Sequence, residues 1–224
     1  MSKPRLSLNQ FTKFSIASEA RKLSIIKDQL KPSKFMTQRY VSAKSSIRKF
    51  LIEGSDLNQI YEGIEKQIKR ETKTDWQKND RQVSIEALQK IVKIKVVRAL
   101  KGIKFEVIKP EIKLIAINDV DITVSPELII KMFVNGKIIY GGAKLHIAKT
   151  KPFTLKQCSY ASTLLCEYIK TNIAKPGEIV DPKLCLFIDV FSERIVPASE
   201  EYVEELNEIR DLCLEVKKIW NKVA

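Results

Sequence analysis

The chain has 224 residues, of which 44% are hydrophobic, and it carries 40 Lys and Arg against 27 Asp and Glu, for a net charge of +13. Such a length and apolar content suit one sizeable core or two small domains and exclude a disordered polyelectrolyte. The sequence has no apolar run near the length of a membrane span and no apolar secretory leader after Met1. Its four dispersed cysteines (Cys158, Cys166, Cys185, Cys213) form no C-x-x-C pair, so a cytoplasmic, reducing setting is expected and a cysteine metal site is not.

The first 50 residues hold twelve Lys and Arg against Glu19 and Asp28, so ten of the thirteen excess positive charges lie there. A concentrated basic segment favours a polyanionic partner, nucleic acid first, over the diffuse attraction of a uniformly basic surface. The spacing in this region predicts helices. Lys31-Pro32-Ser33 ends one, and Met36, Tyr40, Ala43, Ile47 and Phe50 make an apolar stripe along the next, with Lys44, Arg48 and Lys49 off the stripe or on its border. These three are the candidate nucleic-acid contacts. Gly54 closes that helix, and Asp56-Leu57-Asn58-Gln59 reads as a capping box opening a third around Ile60, Ile64 and Ile68. The polar stretch from Glu71 to Arg81 reads as a linker or frayed helix end. The expected division is a basic helical region over residues 1–78 and an α/β (α+β) core over 79–224.

Within the second part, Ile85, Leu88, Val92, Val96 and Ala99 predict one face of a helix that stops near Gly102. A strand follows from Ile112 to Ile117, with Phe105 to Ile108 either joined to it or preceding it. Asn135-Gly136 between apolar runs is a strong signal for a two-residue hairpin between strands of about 121–134 and 137–148. Such a turn pairs Val134 with Lys137. Counting outward puts Ile129 opposite Gly142, Glu127 opposite Lys144 and Ser125 opposite His146. Alternation along the strand gives Asp121, Ser125 and Glu127 one face, joined across the hairpin by Lys144 and His146. Thr154-Leu155-Lys156-Gln157 is a capping box opening a helix through Leu164, Leu165, Tyr168 and Ile169. Lys183 to Val190 reads as a buried strand. Ser199 is placed as the cap of a last helix with Glu200, Glu201, Glu204 and Glu205 near its start and lysines near its end, a surface for a protein partner.

The order helix, three-strand meander, helix, strand resembles the restriction-endonuclease-like fold of the PD-(D/E)xK nuclease superfamily. Pro126-Glu127 resembles that family's proline-acid step, and Gly142-Ala143-Lys144 resembles its acid-x-Lys step, with Gly142 in place of the second acid. The resemblance covers about Ser84 to Val190. It implies a mixed sheet of about four strands flanked by helices. It also implies Mg²⁺ or Mn²⁺ held by Glu127 and a migrated carboxylate, with Lys144 positioning water or stabilising charge. Asp121 is the first choice for that carboxylate, ahead of Asp119, Glu86 and Glu167. An extended strand would place it about 20 Å from Glu127, so sharing the site requires a bend at Pro126.

The same residues have plainer readings. Glu127 and Lys144 form an ordinary cross-strand ion pair worth roughly 0.2–1 kcal/mol. The single histidine, His146, is an accessory base or a satisfied core residue, and its solitude excludes a multi-histidine metal site. Gln157 contacts a phosphate or base, as a glutamine on this helix does in exonuclease-like members of the family, or simply completes the Thr154 cap. Gly141-Gly142 is too short for a phosphate-cradling loop. The expected function is nucleic-acid binding, DNA ahead of RNA, by a divergent nuclease-like core. In its active form this would be a metal-dependent deoxyribonuclease of bacterial or phage defence or of a mobile element. The alternatives are a catalytically inactive binding or assembly subunit, and a regulator of an acidic protein.

Overall fold

The computed structural model describes residues 3–31, 39–54, 56–94 and 104–224. It is an α+β protein in which five N-terminal helices precede a mixed five-stranded sheet and a three-stranded sheet, with seven helices in all among the described residues. Pro32, Ser33, Met36, Val96, Ala99 and Gly102, which carried parts of the sequence reading, lie outside the described residues.

A short strand β1 (Arg5–Ser7) leads into α1 (Leu8–Phe14) and α2 (Glu19–Leu30). Helix α3 (Val41–Ile52) buries Ala43, Ile47 and Phe50 of the predicted stripe together with Leu51, and leaves Lys44, Arg48 and Lys49 exposed. Helix α4 (Asn58–Lys69) starts without the expected capping box; the Asp56 carboxylate instead accepts from the Asn58 N–H at 3.1 Å. The polar segment expected as a linker is largely helix. Thr74 and Gln77 close a reciprocal cap that starts α5 (Asp75–Ile91), so the expected boundary after residue 78 falls inside a helix.

The larger sheet has the order β2-β5-β6-β7-β8, from β2 (Glu106–Val107), β5 (Leu128–Val134), β6 (Lys137–His146), β7 (Ile179–Asp189) and β8 (Arg194–Pro197). The hairpin forms in the expected register, with Val134 on Lys137 and Ile129 on Gly142, and Asn135 and Gly136 take positive φ of 49° and 77°. The capped helix α6 (Leu155–Asn172) crosses from β6 to the parallel strand β7. The last helix, α7 (Val203–Val223), begins beyond Ser199, whose hydroxyl accepts from the Glu201 N–H instead.

The expected strand of 121–134 is in fact two strands in different sheets. Ser125 takes a φ of 44° and Pro126 follows, which ends one extended run and starts another. Residues before the break form β4 (Val120–Thr123), which pairs with β3 (Leu114–Ile117) and, in parallel, with β1. The Ile112–Ile117 strand therefore belongs to the small sheet, and β2 takes the first place in the large one.

The large sheet is covered on both faces. On one, α3, α4 and α5 meet β5, β6 and β7 through Ile47, Phe50, Leu88, Leu128, Leu145 and Ile188. On the other, α6 is followed by α1, α2, α7 and the small sheet, with Phe11, Ile122, Leu165, Tyr168 and Trp220 at the centre. The basic helices are thus folded onto the sheet. All four cysteines are buried and free, and among the described residues no helix is long and apolar enough to cross a membrane.

Asp121 fastens β1 to this arrangement, accepting from Lys3 at 2.5 Å and Arg5 at 3.2 Å. Burial alone would raise its carboxyl, but those hydrogen bonds outweigh it and hold the group below the usual carboxylate range. A depressed carboxyl stabilises the fold above its unfolded pKa of about 3.9, and this is lost as pH falls through the folded value. Asp121→Asn is expected to cost about 1 kcal/mol at pH 7, both cations being largely exposed. Urea unfolding at pH 7 and below pH 4 should show that difference shrink in acid.

Candidate nucleic-acid interface

Glu127 stands at the entry to β5, where its N–H donates to the Ala143 carbonyl at 3.0 Å. Its carboxylate is only 3% exposed and is fully engaged. Oε2 accepts from the Leu145 N–H at 2.7 Å, while Oε1 accepts from Lys144 at 3.3 Å and from Lys44 of α3 at 2.5 Å. Lys144 is itself buried and also donates to the Ser125 carbonyl at 2.7 Å, so the break that separates the two sheets supplies one of its ligands. Burial pushes the Lys144 ammonium below its ordinary pKa; Glu127 opposes this and Lys44 adds to it.

Above this clamp a cavity of about 490 Å³ opens between α3 and the loops before β3 and β5. Lys44, Arg48, Lys109 and Lys113 line it, with Glu127 the single acid. The cavity is therefore strongly positive, with its one carboxylate already bound by two ammonium groups. Such a surface suits phosphate oxygens, which accept from exposed Lys and Arg.

The expected site residues are brought together only in part. Glu127 and Lys144 meet as predicted, Ser125 lines the cavity, and Lys44 and Arg48 face it. Lys49 lines a separate groove on the other flank of α3. The bend that Asp121 required is present at Ser125-Pro126, but it passes the chain from one sheet to the other, and the Asp121 carboxylate is held by Lys3 and Arg5 in the small sheet. His146 does not pair with Ser125: it is buried, stacks on Phe153 at 3.8 Å between ring centroids, and has its pKa lowered by burial. Gln157 completes the Thr154 cap, and its amide donates to the Thr12 carbonyl at 2.7 Å, tying α1 to α6. Asp119, Glu86 and Glu167 are engaged by Lys217, Lys149 and Tyr202 respectively.

These residues do not fit the divalent cation that the resemblance implies. Mg²⁺ takes oxygen ligands, usually from one or two carboxylates with water and phosphate. Both oxygens of Glu127 are committed to N–H and ammonium donors, and no group of three His, Cys, Asp or Glu among the described residues could hold a metal. The position of the second acid is closed sterically. A Cβ on Gly142 would stand 2.9 Å from both the Leu128 carbonyl and the Ile169 Cδ1 of α6. Glycine is needed here because helix and sheet approach too closely for a side chain.

Lys109 and Lys113 were not singled out from the sequence, since nothing in Lys109-Pro110-Glu111-Ile112-Lys113 separates them from the chain's other lysines. The Lys44–Glu127 pair joins two parts of the chain between which the sequence carries no local signal of contact. No known protein family and no curated protein matches the chain.

Two substitutions test the clamp. Glu127→Gln leaves Lys144 buried without its counter-charge and is expected to cost about 3 kcal/mol, with a melting temperature that Mg²⁺ does not alter in either protein. Gly142→Ala is expected to cost roughly 1–3 kcal/mol through overpacking against a backbone carbonyl. Denaturant midpoints measure both, and an unchanged midpoint for Gly142→Ala would contradict the close packing.

Proposed function

We propose that the protein binds nucleic acid through a restriction-endonuclease-like core in which a lysine-clamped carboxylate stands where the family holds a catalytic metal. The order α5, β2, β5, β6, α6, β7, with β6 and β7 parallel across α6, supports the core reading; the β3–β4 hairpin is then an insertion after the first core strand. Pro126-Glu127 at the entry to β5 and Gly142-Ala143-Lys144 on the adjacent β6 lend the core reading further support. DNA is favoured over RNA on the resemblance alone.

The observation that carries the function is the positive cavity over Glu127. Four cations from α3 and the β2–β3 connection converge on it, and two of them, Lys44 and Arg48, belong to the basic N-terminal segment. Gly142 and Lys44 favour the non-catalytic form of this reading over a metal-dependent deoxyribonuclease. The first removes a metal ligand and the second occupies the other. Binding in this form needs no metal.

Fluorescence anisotropy of a labelled oligonucleotide, titrated in EDTA across a range of salt, tests the proposal. Affinity should fall steeply with salt, because each neutralised phosphate releases counterions. The double variant Lys44→Ala/Arg48→Ala should lower the slope of log affinity against log salt by about 2. A flat salt dependence, or a slope unchanged in the variant, would contradict it.

A further inference from the structure

Helix α3 separates the basic cavity from a second, larger depression. This groove, about 1090 Å³, lies among α3, α4 and α5, and it shares Val41 and Ser45 with the cavity on the other flank. Its floor is made where α4 crosses α3 so closely that Gly63 lies against Ser46. The two depressions differ in chemistry. Four basic and four acidic side chains line the groove, and two of these pairs, Lys69 with Glu65 and Arg70 with Asp80, close on each other. The groove is therefore polar with balanced charge, whereas the cavity is cationic.

Two further observations indicate what would enter it. Trp76 borders the groove with 37% of its surface exposed, and the Arg39 guanidinium lies 5.9 Å from its ring centroid. An exposed tryptophan beside an arginine is a stacking platform for flat aromatic groups. Gln67, only 1% exposed, lines the groove, and its amide oxygen has no hydrogen-bond partner among the described residues. A buried amide left unpaired costs free energy that an incoming donor recovers. Together these features call for an uncharged, aromatic, hydrogen-bonding ligand, adjoining a site suited to phosphate.

We propose that the α3–α4–α5 groove receives unpaired bases of a single-stranded nucleic acid whose backbone lies in the basic cavity across α3. This inference rests on the phosphate-binding reading of that cavity. A nucleotide joins an anionic backbone to a neutral aromatic base, the same pairing of properties found on the two flanks of the helix. The base faces and edges are free to stack on Trp76 and meet Gln67 only when the strand is unpaired. At the upper end of the roughly 300–1,000 Å³ of ordinary ligand pockets, the groove has room for more than one base.

The test compares labelled oligothymidylate, oligouridylate and a duplex of equal length as probes of the full chain, by anisotropy and tryptophan emission. Trp76→Ala should weaken both single strands about 10-fold, leave the duplex within two-fold, and leave the salt slope intact because no phosphate contact is lost. Trp76→Phe should keep most of the affinity but lose the emission quenching that single strands cause in the wild type. Gln67→Leu removes the unpaired amide oxygen and guards against misfolding: it should bind single strands more weakly with no loss of thermal stability. If Trp76→Ala and Gln67→Leu bind single strands as the wild type does while Lys44→Ala/Arg48→Ala binds weakly, the base groove is overturned and the phosphate cavity stands. If none of the probes binds the wild type, both are overturned.

Discussion

A carboxylate and an ammonium group, Glu127 and Lys144, are buried together at the mouth of the large sheet, and this pair constrains everything around it. Removing two charges from water costs several kcal/mol each unless they pair closely and their remaining hydrogen-bonding capacity is filled. The fold meets that demand with the Leu145 N–H, the Ser125 carbonyl and Lys44. Each contact comes from a different element: β6, the break between β4 and β5, and α3. The pair therefore ties α3 to the start of β5 and to β6.

The concentration of positive charge in the first 50 residues does not become one continuous basic face. Part of it is neutralised by packing: Lys3 and Arg5 by Asp121, and Lys22 by Glu215 of α7 at 2.7 Å. These contacts attach β1 and α2 to the rest of the molecule. Among the cations that stay exposed, Lys44 and Arg48 of α3 are joined in one cavity by Lys109 and Lys113 from a distant stretch of chain. Folding therefore gathers part of a broad charge excess into a local cavity. The buried carboxylate beneath lets cations crowd together that would otherwise repel.

Much of this was legible in the residues. Asn135-Gly136 specified the hairpin and its register down to Gly142, and Thr154 and Gln157 specified the start of α6, because both signals are local and their geometry is nearly obligatory. Two equally local signals were passed over. Asn118-Asp119, both at positive φ, make a second two-residue hairpin turn between β3 and β4. Thr74-Asp75-Trp76-Gln77 carries the same capping pattern as the α6 start within a stretch taken for a linker. The break at Ser125 was less accessible, since serine is an uncommon choice for positive φ. Asp121 was misplaced because the bend at Pro126 changes sheets and Lys3 and Arg5 take its carboxylate. The steric role of Gly142 was beyond the sequence, because it depends on how closely Ile169 approaches β6.

Two lysines engage the Glu127 carboxylate where the resemblance implies a metal. Electron paramagnetic resonance of Mn²⁺ titrated with the full chain at low ionic strength tests this most directly, since protein-bound Mn²⁺ loses the sharp signal of the aqueous ion. The lysine clamp predicts that the aqueous signal persists at stoichiometric protein, for the wild type and for Glu127→Gln alike. Loss of the signal with the wild type and its return with Glu127→Gln would contradict the clamp and restore a metal-dependent site.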